Sequence, residues 1–181
     1  MRLLQSDLAG WRMAGAGGFR ILPEGGVEAQ GGPGLLWYAE TSFADFELAV
    51  AWRIIRPDDN SGVFLRCPPL ADDPQAAIEQ GYEVQIDDRG YDSKAQVTGS
   101  PLHLTGAIYR LAPALRRCSR PVGEWNRFEI ATTGPDIAVR LNGQDVARLP
   151  DGQRRLTGHI ALQNHHAGSA VQFRDLEVRP R

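Results

Sequence analysis

The strongest constraint on the fold is a repeated pattern of short apolar runs in which every second side chain is apolar. The segment FELAVAWRI, residues 46–54, is the clearest example. A strand has a side-chain period of two, whereas an amphipathic helix would need apolar residues three and four apart. The chain also has 20 glycines and 12 prolines, which interrupt such runs about every 8 to 15 residues. The pattern therefore predicts an all-β chain.

A hairpin signal supports this prediction. Asn142 and Gly143 lie between two alternating runs in DIAVRLNGQDVARL, and both residues of a type I′ turn need a positive φ. Only residues 73–80 and 111–118 have helix-compatible content, and both are too short for an α/β repeat. About twelve short strands must pack as two sheets, because one sheet would leave an apolar face in water. We therefore expect a two-sheet antiparallel jelly-roll sandwich that forms a single domain over residues 1–181.

Charge and hydropathy restrict the partners. The net charge is −2, with acids and bases interspersed, so we expect no nucleic-acid partner. No apolar run approaches the roughly 20 residues that span a bilayer, and MRLLQSDLAGW lacks the apolar centre of a secretory signal. We expect a soluble cytoplasmic protein, or a periplasmic or secreted one if the chain is a mature form. The sequence leaves open the oligomeric state and whether Cys67 and Cys118 pair.

Polar side chains share faces on three predicted strands. GYEVQIDD alternates Glu83, Gln85 and Asp87 with apolar residues, and ALQNH alternates Gln163 with His165. In NSGVFLR the same rule groups Gly62, Phe64 and Arg66 on one face. Such alternation is typical of the solvated face of a sandwich. Carboxylate, amide, guanidinium and imidazole groups beside aromatic rings are also what a sugar-binding groove needs, and this second interpretation fits the composition better.

Other kinds of site have weaker signals. The four histidines show no metal-binding spacing, and the pair His165 and His166, which could ligate a metal with Glu83 or Asp87, is more often hydrogen-bonded than metallated. The sequence has no GxSxG motif, and GAGG at residues 15–18 lacks the strand and helix of a phosphate loop. We therefore expect neither a metal nor a cofactor.

Several segments, taken in order, resemble the 3-keto-disaccharide hydrolase domain family, which has a concanavalin A-like sandwich. The segments are SDLAGW, GGPGLLWY, FADFELAVAWRI, NSGVFLR, GYEVQIDD, TGAIYRLAPA, PVGEWNRFEI, LNGQDVARL and GHIALQNHHAGSAVQFRDLEVRP, which together span about Leu4 to Arg179. The resemblance implies hydrolysis of 3-keto-glycosides, which are sugars whose C3 hydroxyl has been oxidised to a ketone. It places the characteristic polar residues of the family at Arg66, Glu83, Gln85, Gln163 and His165.

A 3-keto sugar can be cleaved with one carboxylate. The ketone acidifies the C2 proton, so that one base can remove it and the enediolate can expel the C1 substituent before water adds. We expect Glu83 to be the base, with a pKa raised by partial burial, and Arg66 or His165 to stabilise the enediolate oxygen. The expected substrate-binding residues, on the same concave surface, are Gln85, Asp87, Gln163, Trp37 and Tyr109. An orientation of Glu83 and Arg66 to opposite sides of the sheet would contradict this arrangement.

Two alternatives stay open. A conventional retaining glucanase would use Glu83 and Asp87 as a carboxylate pair about 5 to 5.5 Å apart. A non-catalytic carbohydrate-binding module would hold a glycan with the same residue types and carry out no reaction.

Overall fold

The structure, a computed structural model, describes residues 1–5 and 7–181. Two antiparallel sheets face each other, as the sequence predicts, and one short helix lies outside them. The elements are β1 Trp11–Gly15, β2 Gly18–Ile21, β3 Val27–Gln30, β4 Gly34–Tyr38, β5 Phe46–Arg53, β6 Ser61–Cys67, α1 Gln75–Gln80, β7 Tyr82–Ile86, β8 Asn126–Thr133, β9 Asp136–Leu141, β10 Gln144–Leu149, β11 His159–Asn164 and β12 Gln172–Pro180.

One sheet has five strands in the order β1-β4-β11-β6-β7. The other has seven strands in the order β10-β9-β8-β5-β12-β3-β2. The long connection from β7 to β8 returns to the edge of the five-stranded sheet, where Ile108 forms an antiparallel bridge with Val84. Residues 105–109 therefore cover an edge that β7 would otherwise expose, which protects its backbone groups from pairing with other chains.

The main core lies between the sheets and is built from the apolar halves of the alternating strands. Phe46, Leu48, Val50 and Trp52 of β5 are all at most 1% exposed. They belong to the same core cluster as Val63 and Leu65 of β6 and Tyr82, Val84 and Ile86 of β7. Burying each such side chain contributes about 1.5 to 3 kcal/mol. The core therefore fixes which residues of β7 face inward, so that the intervening residues Glu83 and Gln85 must point away from the core.

The predicted hairpin is confirmed. Asn142 and Gly143 join β9 to β10 with φ values of 52° and 80°, and the Asn142 side chain donates a hydrogen bond to the carbonyl of Cys118 at 2.8 Å. Cys118 and Cys67 are both free thiols, so no disulfide joins them.

Of the two helix-compatible segments, only the first forms a helix, α1. In the second, residues 111–118, the backbone of Ala112 pairs instead with Ile108. No helix in the described residues is long and apolar enough to cross a bilayer.

Candidate functional site

The polar residues of interest lie on the surface of the five-stranded sheet that faces away from the main core, which we call the outer face. Strand pairing places Phe64 opposite Glu83 and Gly62 opposite Gln85. On the other side of β6, Ala161 pairs with Phe64, so Gln163, two residues further along β11, lies beside Gly62. Register thus brings Glu83, Gln85 and Gln163 together around a glycine that has no side chain.

Gly62 provides the space that the Glu83 side chain occupies. A Cβ atom on residue 62 would lie 2.7 Å from Cγ and 2.9 Å from Cδ of Glu83, and it would overlap Oε1. The carboxyl group therefore lies directly over the backbone of β6. Any larger residue at position 62 would displace the carboxyl group, because its Cβ atom would overlap the Glu83 side chain.

Burial gives Glu83 an unusual acidity. Glu83 is 7% exposed, and its carboxyl group has no hydrogen bond or ion pair within the part of the chain that the structure describes. Desolvation raises the pKa of Glu83 to about 8, although the nearby cation of Arg154 opposes the shift. A carboxyl group with such a pKa exchanges a proton near neutral pH, as a general acid or base must.

Two glutamines flank this carboxyl group with uncharged polar atoms. Gln85 is 3% and Gln163 is 8% exposed. Oε1 of Gln85 accepts only the neighbouring backbone N–H of Ile86 at 3.2 Å. Oε1 of Gln163 is buried and has no hydrogen-bond partner among the described residues. Because a buried amide without a partner costs free energy, Gln163 is suited to receive a hydroxyl group from a ligand.

Tyr109 lies beside Glu83 on the outer face. Its backbone N–H donates to the carbonyl of Glu83 at 2.8 Å, and since Ile108 points into the core, Tyr109 points outward. The ring is half-buried. Desolvation raises the pKa of Tyr109; Arg110 opposes this, and the carboxyl group of Glu83 raises it further.

His165 follows β11 at the margin of the same face. Its side chain is exposed, and its Nδ1 lies 3.0 Å from Nδ1 of His166. Partial desolvation of the ring and then the neighbouring His166 lower the pKa of His165, while Asp87 opposes the shift. The imidazole is therefore neutral near pH 7 and can donate a hydrogen bond without carrying a charge.

The prediction for Arg66 is wrong. Arg66 has a φ of 55°. Strand pairing joins His159 to Cys67 and Ala161 to Phe64. Between these two pairs β11 has one residue, whereas β6 has two, Leu65 and Arg66. Such a β-bulge reverses the alternation, so Cys67 rather than Arg66 shares the outer face with Phe64.

The guanidinium group of Arg66 is fully buried on the opposite side of the sheet from Glu83. This orientation contradicts the predicted site, which combined Glu83 and Arg66 on one concave surface, and only the part of that site around Glu83 is left. It donates to the carbonyl of Ala44 at 2.8 and 3.0 Å, to that of Gly134 at 2.8 Å, and to Asp45 at 3.2 Å. These contacts tie β6 to the ends of β5 and β8 in the other sheet. Arg66 therefore stabilises the sandwich and takes no part in the site.

The expectation that Asp87 binds substrate is also wrong. Asp87 is 0% exposed, and both carboxylate oxygens are already used. Oδ1 accepts the backbone N–H of Arg89 at 2.9 Å, and Oδ2 accepts that of Tyr91 at 2.9 Å and the amide of Asn60 at 3.3 Å. Asp87 thus organises the turn after β7, because an Asx-type turn needs this short carboxylate at its start.

The proposed stacking role of Trp37 fails for a third reason. Trp37 does lie on the outer face, opposite Ala161, but it is only 4% exposed. The segment that carries α1 covers it, and Trp37 packs in a second apolar cluster with Leu70 and Ala77. Its ring contacts His159 edge to face at 4.9 Å, so no flat surface is left for a sugar.

Sequence reasoning missed three residues that shape the site. Gly62 was visible in NSGVFLR, where a glycine within an alternating strand is a signal of close approach by another group. Arg154 and His103 come from loops far away in the sequence, and no local pattern marks them. Arg154 donates to the carbonyls of Ile78 and Gly81 at 2.9 and 2.6 Å and so fixes the segment leading into β7.

Two surface grooves lie away from this site, and the first, of about 760 Å³, is lined by Arg2, Glu24 and Arg174. Within residues 1–5 and 7–181, no three His, Cys, Asp or Glu side chains are grouped so as to hold a metal ion. The second groove, of about 480 Å³, lies on the outer face of the seven-stranded sheet. Its carboxylates Glu47 and Glu129 form ion pairs with Arg181 and Arg140, and the hydrogen bond from Arg181 lowers the pKa of Glu47.

Comparison with known proteins agrees with the fold. A curated relative, a 3-keto-disaccharide hydrolase from Bacteroides thetaiotaomicron, is 28% identical over 129 residues, which are 67% of this chain and 44% of that protein. The chain thus spans less than half the length of this relative. A Parabacteroides distasonis protein, named provisionally as a glycosyl hydrolase, superimposes with a TM-score of 0.80 at 21% identity. The aligned region covers 97% of this chain and 90% of that protein.

A Bacillus subtilis protein with a galectin-like fold superimposes with a TM-score of 0.68 at 14% identity, covering 98% of this chain and 93% of its own. These likenesses confirm the jelly-roll sandwich. The sequence profile of one family, described as the 3-keto-alpha-glucoside-1,2-lyase-like domain, matches residues 4–179. The match covers nearly the whole chain and confirms the resemblance inferred from the ordered motifs. The chain therefore belongs to the family of 3-keto-alpha-glucoside-1,2-lyase-like domains.

Proposed function

We propose that this chain cleaves the glycosidic bond of 3-keto-glycosides, with Glu83 as the base. The observation that carries the proposal is the unpaired, buried carboxyl group of Glu83, whose pKa is raised to about 8. A carboxylate of this kind is a stronger base than an exposed one and still ionises in part at neutral pH. It lies on the outer face between the uncharged amide groups of Gln85 and Gln163.

The chemistry needs only one carboxylate. Glu83 removes the C2 proton, which the C3 ketone makes acidic, and an enediolate forms. Its electrons then expel the C1 substituent and leave a double bond between C1 and C2, to which water adds. This sequence is an elimination followed by hydration, and the description of the family as lyase-like supports it.

The other residues of the outer face position the sugar. Gln163 offers its unpartnered Oε1 to a ring hydroxyl, and Gln85 offers its amide N–H groups. His165 lies at the margin, and as a neutral imidazole it donates a hydrogen bond to the enediolate oxygen. A single such donor, fixed in advance, is worth roughly 10² in rate or more.

The structure argues against a conventional retaining glucanase. That mechanism needs a nucleophile and an acid on two carboxyl groups. Asp87, the candidate partner of Glu83, is fully buried and holds the backbone of the following turn. Glu83 is therefore left without a second free carboxylate on this face among the described residues.

The test compares a 3-keto-glucoside with its unoxidised parent and follows release of the aglycone. Wild type should cleave the oxidised sugar and leave the parent intact. Glu83→Gln keeps the shape but removes the proton acceptor, so we expect a rate loss of roughly 10² to 10⁴. The matched control is Glu124→Gln, which alters an exposed glutamate far from β7 in the sequence.

The pH profile gives a second measure of the same base. Because Glu83 must be ionised to act, kcat/KM should rise with pH and level off near its pKa of about 8. Cleavage of unoxidised glucan would refute the proposal. Saturable sugar binding without turnover of either substrate would also refute it, and would favour a non-catalytic carbohydrate-binding module.

A further inference from the structure

The geometry points to Tyr109 as the acid that protonates the departing glycosidic oxygen, with His103 as the residue that positions it. This inference rests on the proposed function and assigns its missing proton donor. When the C1–O bond breaks, the leaving oxygen of a sugar or alkyl aglycone carries a full negative charge unless a group nearby supplies a proton. Glu83 already carries the C2 proton at that stage and is the competing donor, and the leaving-group experiment below distinguishes it from Tyr109.

Tyr109 is in the right place for such a donor. Its backbone pairs with that of Glu83 at 2.8 Å, and both side chains point outward from the same sheet edge. Its phenol has no hydrogen-bond partner among the described residues, so the O–H group is free to turn toward a ligand. Burial and the adjacent carboxyl group keep the phenol protonated, which suits an acid that gives up its proton only to a stronger base such as an alkoxide.

A second group of residues fixes the ring of Tyr109. His103 meets it edge to face, with ring centroids 5.0 Å apart, and His103 is only 5% exposed. Nδ1 of His103 lies 2.8 Å from Oγ of Ser100 and 3.8 Å from a carboxylate oxygen of Asp92. Ser100 and Asp92 therefore fix the imidazole, and its edge-to-face contact favours one orientation of the Tyr109 ring.

The step balances in protons and electrons. Glu83 takes the proton from C2, and the electron pair of that C–H bond becomes the double bond between C1 and C2. The C1–O bond breaks, its electron pair stays on the leaving oxygen, and that oxygen takes the proton of Tyr109. Transfer of the proton from Glu83 to the tyrosinate beside it then restores both groups, and no oxidant or reductant is needed.

The experiment varies the leaving group. A 3-keto-glucoside with a methyl aglycone needs an acid, whereas one with a 4-nitrophenyl aglycone leaves as a stable anion without protonation. Tyr109→Phe removes only the hydroxyl, so we expect kcat to fall roughly 10² to 10³ for the methyl substrate and less than about tenfold for the nitrophenyl substrate. Glu83→Gln should slow both substrates alike. The control is Tyr91→Phe, an exposed tyrosine of the same connection, which should change neither rate.

His103 is tested by the same comparison. His103→Ala should lower kcat for the methyl substrate more than for the nitrophenyl substrate, because a loosened ring donates its proton less well. His103→Phe keeps an aromatic edge against Tyr109 and should recover part of the loss. Unfolding curves check that each variant retains the fold.

The outcomes separate the two proposals. Equal losses on both substrates for Tyr109→Phe, or no loss on either, would overturn the assignment of Tyr109 while leaving Glu83 as the base. A wild-type protein that cleaves neither substrate would overturn the proposed function and this inference with it.

Discussion

Replacing Glu83 with glutamine should make the protein more stable at neutral and alkaline pH. In the unfolded chain this carboxyl group ionises near 4.5, whereas in the folded protein burial raises its pKa to about 8. The folded state therefore binds the proton more tightly. The stabilisation from protonated Glu83 is fully present below pH 4.5 and is lost as pH rises from 4.5 through 8.

The magnitude follows from the difference in pKa. A shift from 4.5 to about 8 corresponds to about 5 kcal/mol above pH 8, since one pKa unit is about 1.4 kcal/mol. At pH 7 the folded group is still mostly protonated, and the loss is about 3 kcal/mol. Glutamine has almost the same volume and no charge, so Glu83→Gln should gain about this much relative to wild type at pH 7.

Urea unfolding at several values between pH 5 and pH 9 measures the effect. The difference in unfolding free energy between Glu83→Gln and wild type should grow across this range and level off above pH 8. Other titrating groups are common to both proteins and cancel in the difference. The exposed Glu124→Gln variant should show a nearly constant difference. If the Glu83→Gln difference were the same at pH 5 and pH 8, the carboxyl group would not be desolvated as described.

Three further substitutions test the structural assignments. Arg66→Met leaves three carbonyl contacts and Asp45 without their buried donor, so we expect a loss of about 3 to 5 kcal/mol in urea unfolding; undiminished stability would restore Arg66 as a functional candidate. Gly62→Ala should displace the Glu83 carboxyl group and lower turnover about tenfold or more without unfolding the chain, whereas Gly18→Ala, which meets only an ordinary contact at 3.9 Å, should not. In wild type the side-chain amide of Asn164 donates to the carbonyls of Gly18 and Gln30 at 3.3 and 2.7 Å. Asn164→Asp replaces this donor with a carboxylate that faces both carbonyls, which should lower the free energy of unfolding by about 2 to 4 kcal/mol. A melting temperature equal to that of wild type would contradict this.

Local sequence patterns were sufficient for the sandwich and for part of the site. Alternation in GYEVQIDD correctly separates Glu83 and Gln85 from the core, because side chains of an unbroken strand change sides at every residue. The same rule fails in NSGVFLR, since the bulge at Arg66 adds one residue and reverses the faces beyond it. No sequence pattern predicts that Arg66 adopts a positive φ. A single domain over residues 1–181 stays a prediction.

By itself, the sequence determined the fold class, the hairpin at Asn142 and the presence of a carboxylate and two amides on one face. These features depend on periodicity and on turn chemistry, which are local properties of the chain. Only the tertiary structure decided which polar side chains are free to act. Asp87 is used by a turn, and Trp37 is covered by the segment that carries α1. The carboxyl group of Glu83 is desolvated and has neither a hydrogen bond nor an ion pair among the described residues. Burial and the acidity that follows from it depend on residues distant in the sequence, and no local pattern can report them.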